Sequence, residues 1–220
     1  DAQRAVVHRY LGKAYVAVRR LEDAVQHLRH ALHLAEQQGD RVAEALTHHD
    51  LAGAWEERAD DRRALEHATR ALILFRTFDN PVWEAYALND VGWYAARLGD
   101  HDRARRHCRE ALELHRRHRN HIGEAAALDS LGYSHNHGGD HERAVEHYHQ
   151  ALDLYRALDH PFQVARTLDK LGDAHAAMGR DDRACTAWRE ALELYRAQHR
   201  TRDALHLSGR LDWLGRYAHR

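Results

Sequence analysis

The stretch Leu128-Asp129-Ser130-Leu131-Gly132-Tyr133, followed by Gly138-Gly139-Asp140-His141 and then Ala144, Ala151 and Leu152, decides the fold because it recurs. Forty residues earlier stand Leu88-Asn89-Asp90-Val91-Gly92-Trp93, then Gly99-Asp100-His101, Ala104, Ala111 and Leu112. Forty residues later stand Leu168-Asp169-Lys170-Leu171-Gly172-Asp173, then Gly179, Ala184, Ala191 and Leu192. A fixed period of this size marks a repeat architecture, in which each unit packs only on its neighbours.

Laid out at a period of 40, the chain shows columns. Leu11, Leu51, Val91, Leu131, Leu171 and Leu211 form the first, with Gly12, Ala52, Gly92, Gly132 and Gly172 beside it. Ala24, Ala64, Ala104, Ala144 and Ala184 form another, and Ala31, Ala71, Ala111, Ala151 and Ala191, each followed by Leu, a third. Leu34, Leu74, Leu114, Leu154 and Leu194 close the set. Small residues in register imply close helix–helix approach, and large apolar residues three, four and seven apart imply buried helical stripes.

Each unit therefore holds two helices. In the third, a first helix over about 82–98 stops at Gly99-Asp100 and a second runs over about 102–118. Asn80-Pro81 and His160-Pro161 mark inter-unit loops, with proline opening the next helix. Repeats fall at about 1–40, 41–80, 81–120, 121–160 and 161–200, and a final helix over 201–217 repeats a first helix and caps the array. The expected fold is all-α, an α-solenoid of five helix pairs plus a C-terminal capping helix in one domain over 1–220.

Composition narrows the function classes. Charged residues make up 30% and there are two prolines, as long solvated helices require. A formal charge of −1 argues against direct nucleic-acid binding and against an anionic membrane surface. No apolar run is long enough to cross a bilayer. Cys108 and Cys185 lie in different repeats with no CxxC spacing, so a disulfide is not expected. The chain opens at Asp1 and not at methionine, as a piece of a longer polypeptide would. The 22 histidines include a second-helix column, His27, His67, His107 and His147. Its members are a repeat step apart, roughly 10 Å at helix packing distance, so one ion cannot bridge them, and no metal or other cofactor is expected. Nucleophile elbows, P-loops, dinucleotide fingerprints and HExxH are absent from the sequence, and a non-catalytic role is expected.

Leu11-Gly12-Lys13-Ala14-Tyr15, then Ala24, Leu28 and Ala31, resembles the tetratricopeptide-repeat signature. The period exceeds the usual ~34 residues, which implies a second helix longer by about a turn and a half. The variant is similar to the repeats of kinesin light chains. Gly123-Glu124-Ala125-Ala126-Ala127-Leu128 and Trp83-Glu84-Ala85-Tyr86-Ala87-Leu88 resemble the C-terminal arrays of actinobacterial SARP-type, NB-ARC or LuxR-like transcription regulators. The resemblance implies a right-handed superhelix whose first helices line a concave groove, and a cytoplasmic regulatory domain that binds a protein or peptide segment, which another domain of the same polypeptide could supply.

Residues at helical spacing locate that groove. Tyr86, Asn89, Trp93 and Arg97 share one face of the third repeat's first helix, opposite Leu88 and Val91. Their counterparts are His49 in the second repeat, Asp129, Tyr133 and His137 in the fourth, and Arg166, Asp169 and Asp173 in the fifth, with Arg9 and Lys13 in the first. Asn89 can donate to and accept from a peptide backbone at once, and Trp93 and Tyr133 offer rigid apolar contact. Acids at one end and bases at the other would orient a charged ligand. The competing reading is a scaffold or homodimer joined through the terminal helix, where Leu205, Leu211, Trp213, Leu214 and Tyr217 exceed the needs of one buried face.

Overall fold

A computed structural model of the chain describes residues 2–217, with side chains over 3–214. Among the described residues there are eleven helices and no strand. They are α1 (Ala2–Ala17), α2 (Leu21–Gln38), α3 (Arg41–Glu57), α4 (Asp61–Phe75), α5 (Pro81–Arg97), α6 (His101–Arg117), α7 (His121–His137), α8 (His141–Ala157), α9 (Pro161–Ala177), α10 (Asp181–Ala197) and α11 (Thr201–Tyr217). They divide into two compact units, one ending at His118 with α1–α6 and one beginning at Arg119 with α7–α11. No helix is long and apolar enough to cross a membrane among the described residues.

Helix boundaries are written by side-chain caps. The carboxylates or amides of Asp40, Asp60, Asn80, Asp100, Asn120 and Asp140 each accept the backbone N–H three residues on. Such a cap satisfies one of the donors that a helix start leaves orphaned and is worth about 1 kcal/mol. These caps stand 20 residues apart, which sets a second, shorter period inside the repeat. Both helices of repeats three, four and five have 17 residues, although α9 and α10 start without a side-chain cap. The extra length is thus shared equally and does not reside in the second helix, contrary to the expectation from the period. Nine of the ten turns carry one left-handed residue, Gly39, Gly99, Gly139 and Gly179 at four and Arg19, Ala59, Arg119, Asp159 and His199 at five, and the turn between α4 and α5 is the exception.

The helix pair of each repeat closes on the small-residue column, and the partner's size is matched to it. A Cβ at Gly132 would lie 2.5 Å from Tyr148 Cε1, and one at Gly172 would lie 2.2 Å from Trp188 Nε1. At Gly12 it would meet Leu28 Cγ at 2.5 Å, and at Gly92 Cys108 Sγ at 2.3 Å. The second repeat has Ala52 in place of glycine, and there the facing residue is Ala68; both are fully buried. The core stripe runs as expected through Leu88, Val91, Leu128, Leu131, Leu168 and Leu171, all buried. Leu11, in the same column, is 39% exposed. A further buried column was not legible as one: Ala35, Phe75, His115, Tyr155 and Tyr195 differ in type yet occupy equivalent interior positions. Cys108 and Cys185 form no disulfide.

Two histidine pairs sit between the helices of the first two repeats. His8 and His27 approach at 2.8 Å between their Nδ1 atoms, and His48 and His67 at 2.9 Å. One ring donates and the other accepts, so both rings of a pair cannot be cationic at once. Burial, with His67 as the next contributor, pushes His48 down to about 4, and burial also lowers His8 and His67. The unfolded chain therefore takes up these protons first. The stability the pairs give is present above the ordinary histidine value of 6.5 and is lost as the pH falls toward 4.

Two outcomes follow from this packing. Gly172→Ala must displace an interior indole and should cost about 1–3 kcal/mol. Gly53→Ala, where a Cβ meets nothing within 4 Å, should stabilise by about 0.5–1 kcal/mol; chemical denaturation of the two variants and the parent measures both. His48→Leu copies the Leu88, Leu128 and Leu168 of later repeats. It should flatten the decline in melting temperature between about pH 7.5 and 4.5, and parallel declines for parent and variant would refute the assignment to this pair.

Candidate functional site

In the first unit the first helices α1, α3 and α5 present adjacent faces, and ionic rungs join them. Position nine of one helix meets position ten of the next. Arg9 lies 3.6 Å and Lys13 3.8 Å from the Asp50 carboxylate, and His49 Nδ1 lies 2.8 Å from Asp90 Oδ2. Burial draws the His49 imidazole downward, but the Asp90 carboxylate outweighs it and the net shift is upward. Burial raises Asp50, and Lys13, His49 and Arg9 offset part of that rise. A cleft of about 350 Å3 runs along this face, lined by Lys13, His49, Asp50, Glu56, Asp90 and Tyr94.

Glu56 is the centre of the face. Trp93 Nε1 donates to its Oε1 at 2.8 Å, Tyr94 OH to its Oε2 at 3.2 Å, and Arg97 approaches at 3.4 Å. Arg97 Nε also lies 2.8 Å from Asp61 Oδ1. Three α5 side chains thus converge on one α3 carboxylate. Burial, then Asp90 and Glu56, holds the Tyr94 phenol well above its ordinary value. Tyr86 leans elsewhere, toward its own second helix, with its ring 4.9 Å from the buried ring of His115. It closes an aromatic group with Trp83, which stacks on Phe75 at 5.5 Å and meets His49 at 5.7 Å. Asn89 is half-buried, and its Oδ1 is buried with no hydrogen-bond partner.

The second unit repeats the rungs with the charges exchanged. Asp129 accepts from Thr167 Oγ1 at 2.9 Å and from Lys170 Nζ. Asp169 accepts from Arg210 at 3.0 Å, and the same guanidinium donates to Asp173. Trp188 reaches this face across Gly172, where no Cβ bars its way. Its Nε1 donates to the Asp169 carbonyl at 3.1 Å and to Asp173 at 3.3 Å, while Arg210 covers its ring at 4.2 Å. Burial, then the Asp173 charge, lifts Asp169 to about 6 against the pull of Arg210. One guanidinium serves two carboxylates there. Tyr133 and His137 stack at 3.9 Å, and Arg166 lies 5.7 Å from the Phe162 ring.

Of the residues expected on the groove, His49, Trp93 and Arg97 come together in the first unit around Asp90 and Glu56. Asp169 and Asp173 come together in the second around Arg210. Tyr133 and His137 pair with each other, and Tyr86 belongs to the aromatic group behind the face. Glu56 and Trp83 were missed. Each was visible as the odd member of its column: Glu56 among Val16, Ala96, Asn136 and Ala176, and Trp83 among Gln3, Ala43, Gly123 and Gln163. Among the described residues, no group of three or more His, Cys, Asp or Glu could hold a metal ion.

Three sequence profiles described as tetratricopeptide repeat match residues 10–42, 83–157 and 164–197, together more than half of the chain. No curated protein matches the chain in sequence. Among solved structures, a Rap protein complexed with competence and sporulation factor superposes with a TM-score of 0.84 at 16% identity, over 93% of this chain and 57% of that one. The apo form of RapI gives 0.76 at 16% identity, over 92% and 74%. Aspartyl phosphate phosphatase F from Bacillus subtilis gives 0.77 at 11% identity, over 93% and 54%. The chain thus spans a little over half the length of the first and third of these proteins, and at such identities the shared property is the fold. Profiles, period and helix pairing agree: the chain is an array of tetratricopeptide repeats and belongs to that family.

Proposed function

We propose that the chain is a non-catalytic module that binds a protein or peptide segment along its first-helix faces, as the regulatory domain of a larger bacterial transcription regulator. The observation that carries the reading is Asn89. The rung residues Arg9, His49, Asp129 and Asp169 are all engaged by a neighbouring helix. The Asn89 amide oxygen is buried on the same column and has no hydrogen-bond partner. An unmet buried acceptor costs about 1–3 kcal/mol, and the backbone N–H of an extended segment would satisfy it. Beside it, Trp93 and Arg97 are held in fixed positions by Glu56. A ligand would therefore meet a pre-organised surface and little ordering entropy would be lost.

Other features support the same class. The carboxylates of the face are held by Arg, Lys, His or indole N–H groups, an arrangement that serves cohesion between repeats better than proton transfer. A fold neighbour is a Rap protein complexed with competence and sporulation factor, which supports a ligand-responsive array by analogy of fold. The transcription-regulator context rests on the sequence resemblance alone.

The alternative, association through the terminal helix, draws on α11. Leu207 and Leu214 are buried there, Leu211 is half-buried, and Leu205 and Trp213 are 68% and 60% exposed. Tyr217, expected in the same patch, has a side chain outside the described residues. Exposed apolar residues on a terminal helix suit a second copy or an adjoining domain.

Selection of extended peptides from a random displayed library, followed by titration of the enriched sequences, separates the readings. Asn89→Ala should weaken those peptides by at least about tenfold while leaving the melting temperature within a few degrees. Enriched peptides that bind the variant equally well would exclude the Asn89 face as the binding surface. A concentration-dependent dimer lost in Leu205→Glu, with no peptide enriched, would select the alternative.

A further inference from the structure

A second cleft, of about 370 Å3, opens in the second unit between the second helices α8 and α10, over α9. Leu152, Leu168 and Leu171 form its apolar floor, and His149, His175 and Arg183 stand around it. It is unrelated to the first-helix face discussed above. Its volume lies at the lower end of the ~300–1,000 Å3 range of small-molecule sites.

The array itself shows what belongs in this slot. Moving back three repeats, 120 residues, takes His175 to Trp55, Ala187 to His67, Arg183 to Arg63 and His149 to Arg29. In the first unit the chain fills the position with its own indole. Trp55 is 3% exposed and lies beneath the guanidinium groups of Arg63 at 4.4 Å, Arg58 at 4.8 Å and Arg29 at 5.6 Å. His67 stands beside it, bonded to His48. In the fifth repeat the indole is replaced by an imidazole and the second imidazole by a methyl group, whereas the fourth keeps imidazoles at both positions, His135 and His147. Ala187 is the one departure from a column that otherwise reads His27, His67, His107 and His147. Both aromatic fillings are cut back, yet the guanidinium at 183 remains and an imidazole stands at 149 in place of Arg29.

The polar groups agree with a missing occupant. His175 is 5% exposed, and its Nδ1 is buried with no hydrogen-bond partner although the ring lines the cleft. Glu190 at the rim is held by Arg156 at 2.8 Å, and Glu142 nearby is held by Arg180. Arg183, exposed and within electrostatic reach of Glu142, is the other guanidinium lining the cleft. Burial, and then Arg183 and His149, lower the His175 pKa, so near neutral pH its ring is uncharged and able to stack.

We propose that this cleft binds a planar aromatic ring carrying an acid group, seated where Trp55 lies in the first unit, with Arg183 over the ring and the acid turned toward Arg183 and His149. A guanidinium over an aromatic face is attractive, and a charge-assisted hydrogen bond to a carboxylate adds to it. The required ligand is a small aromatic acid of indole size.

Indole-3-acetate is the probe. Titration of the whole chain near pH 7.5, followed by the ring resonances of its histidines, should give one saturable site that moves the His175 signal. His175→Trp and Ala187→His fill the slot with residues this chain already carries at equivalent positions, so each should fold. Each should weaken the probe by at least about tenfold, with the melting curve retained. Arg183→Glu should remove the preference for indole-3-acetate over uncharged indole-3-acetamide. Undiminished binding in both slot-filling variants, saturation that leaves the His175 resonance in place, or no saturable binding at millimolar probe would each overturn the proposal.

Discussion

Everything in these units depends on how closely the two helices of a repeat approach. The approach is set by a pair of positions, one on each helix, whose volumes compensate. Glycine on the first helix faces Leu28, Cys108, Tyr148 or Trp188, and alanine faces Ala68. The separation that results is tolerant of chemistry and intolerant of volume, as expected of an interior packed to crystal density. Glycine in a helix interior costs roughly 0.5–1 kcal/mol against alanine. Its persistence in four of the five repeats is explained by the side chain it admits from across the pair.

The same constraint carries side chains from the back of the array to its front. Trp188 belongs to a second helix, yet its Nε1 bonds groups of the first-helix face because Gly172 leaves the way open. Tyr148 packs over Gly132 likewise, although its buried hydroxyl has no hydrogen-bond partner, and its phenol is pushed well above its ordinary value by burial and then by Asp129 and Asp173. The packing column and the polar face are therefore one system. A residue chosen for volume on α10 helps to fix two acids on α9, where burial and then the Asp173 charge lift Asp169 to about 6.

How much of this was legible in the chain depends on whether a feature repeats by identity or by compensation. Leu128, Leu131 and Gly132 repeat by identity, and from them the helix pairs, their order and the cap were readable. Core positions that repeat by compensation, such as Ala35, Phe75 and Tyr155, looked like unrelated residues. The face was half legible for the same reason. The column Arg9, His49, Asn89, Asp129 and Asp169 varies so strongly that, read alone, it suggests a ligand's specificity. Read with the residue 41 positions later, most of that variation is accounted for inside the molecule: Arg9 with Asp50, His49 with Asp90, Asp129 with Lys170, Asp169 with Arg210. A single column cannot show this, because each member's partner lies one column across and one repeat on. Asn89 stands apart because the structure gives its amide oxygen no partner.

The exchange of charge between the units has a consequence for folding. In the first unit the cation comes first and the acid lies on the next repeat; in the second the acid comes first. Repeats built on identical columns could pair in the wrong order at little cost in apolar burial, which is a recognised failure of repeat arrays. The rungs remove that degeneracy. Were the helix bearing Asp129 to pair with α3 in place of α9, it would set two half-buried acids against each other at Asp50, and α1 against α9 would set Arg9 against Lys170. Such like-charge contacts without a partner cost several kcal/mol, whereas a correct rung at this degree of burial gains about 1 kcal/mol or less. The rungs therefore contribute modestly to stability and much more to the choice of neighbour. The variable face of the array is in the first place an address between repeats, and only the residues left over from that task are available to a ligand.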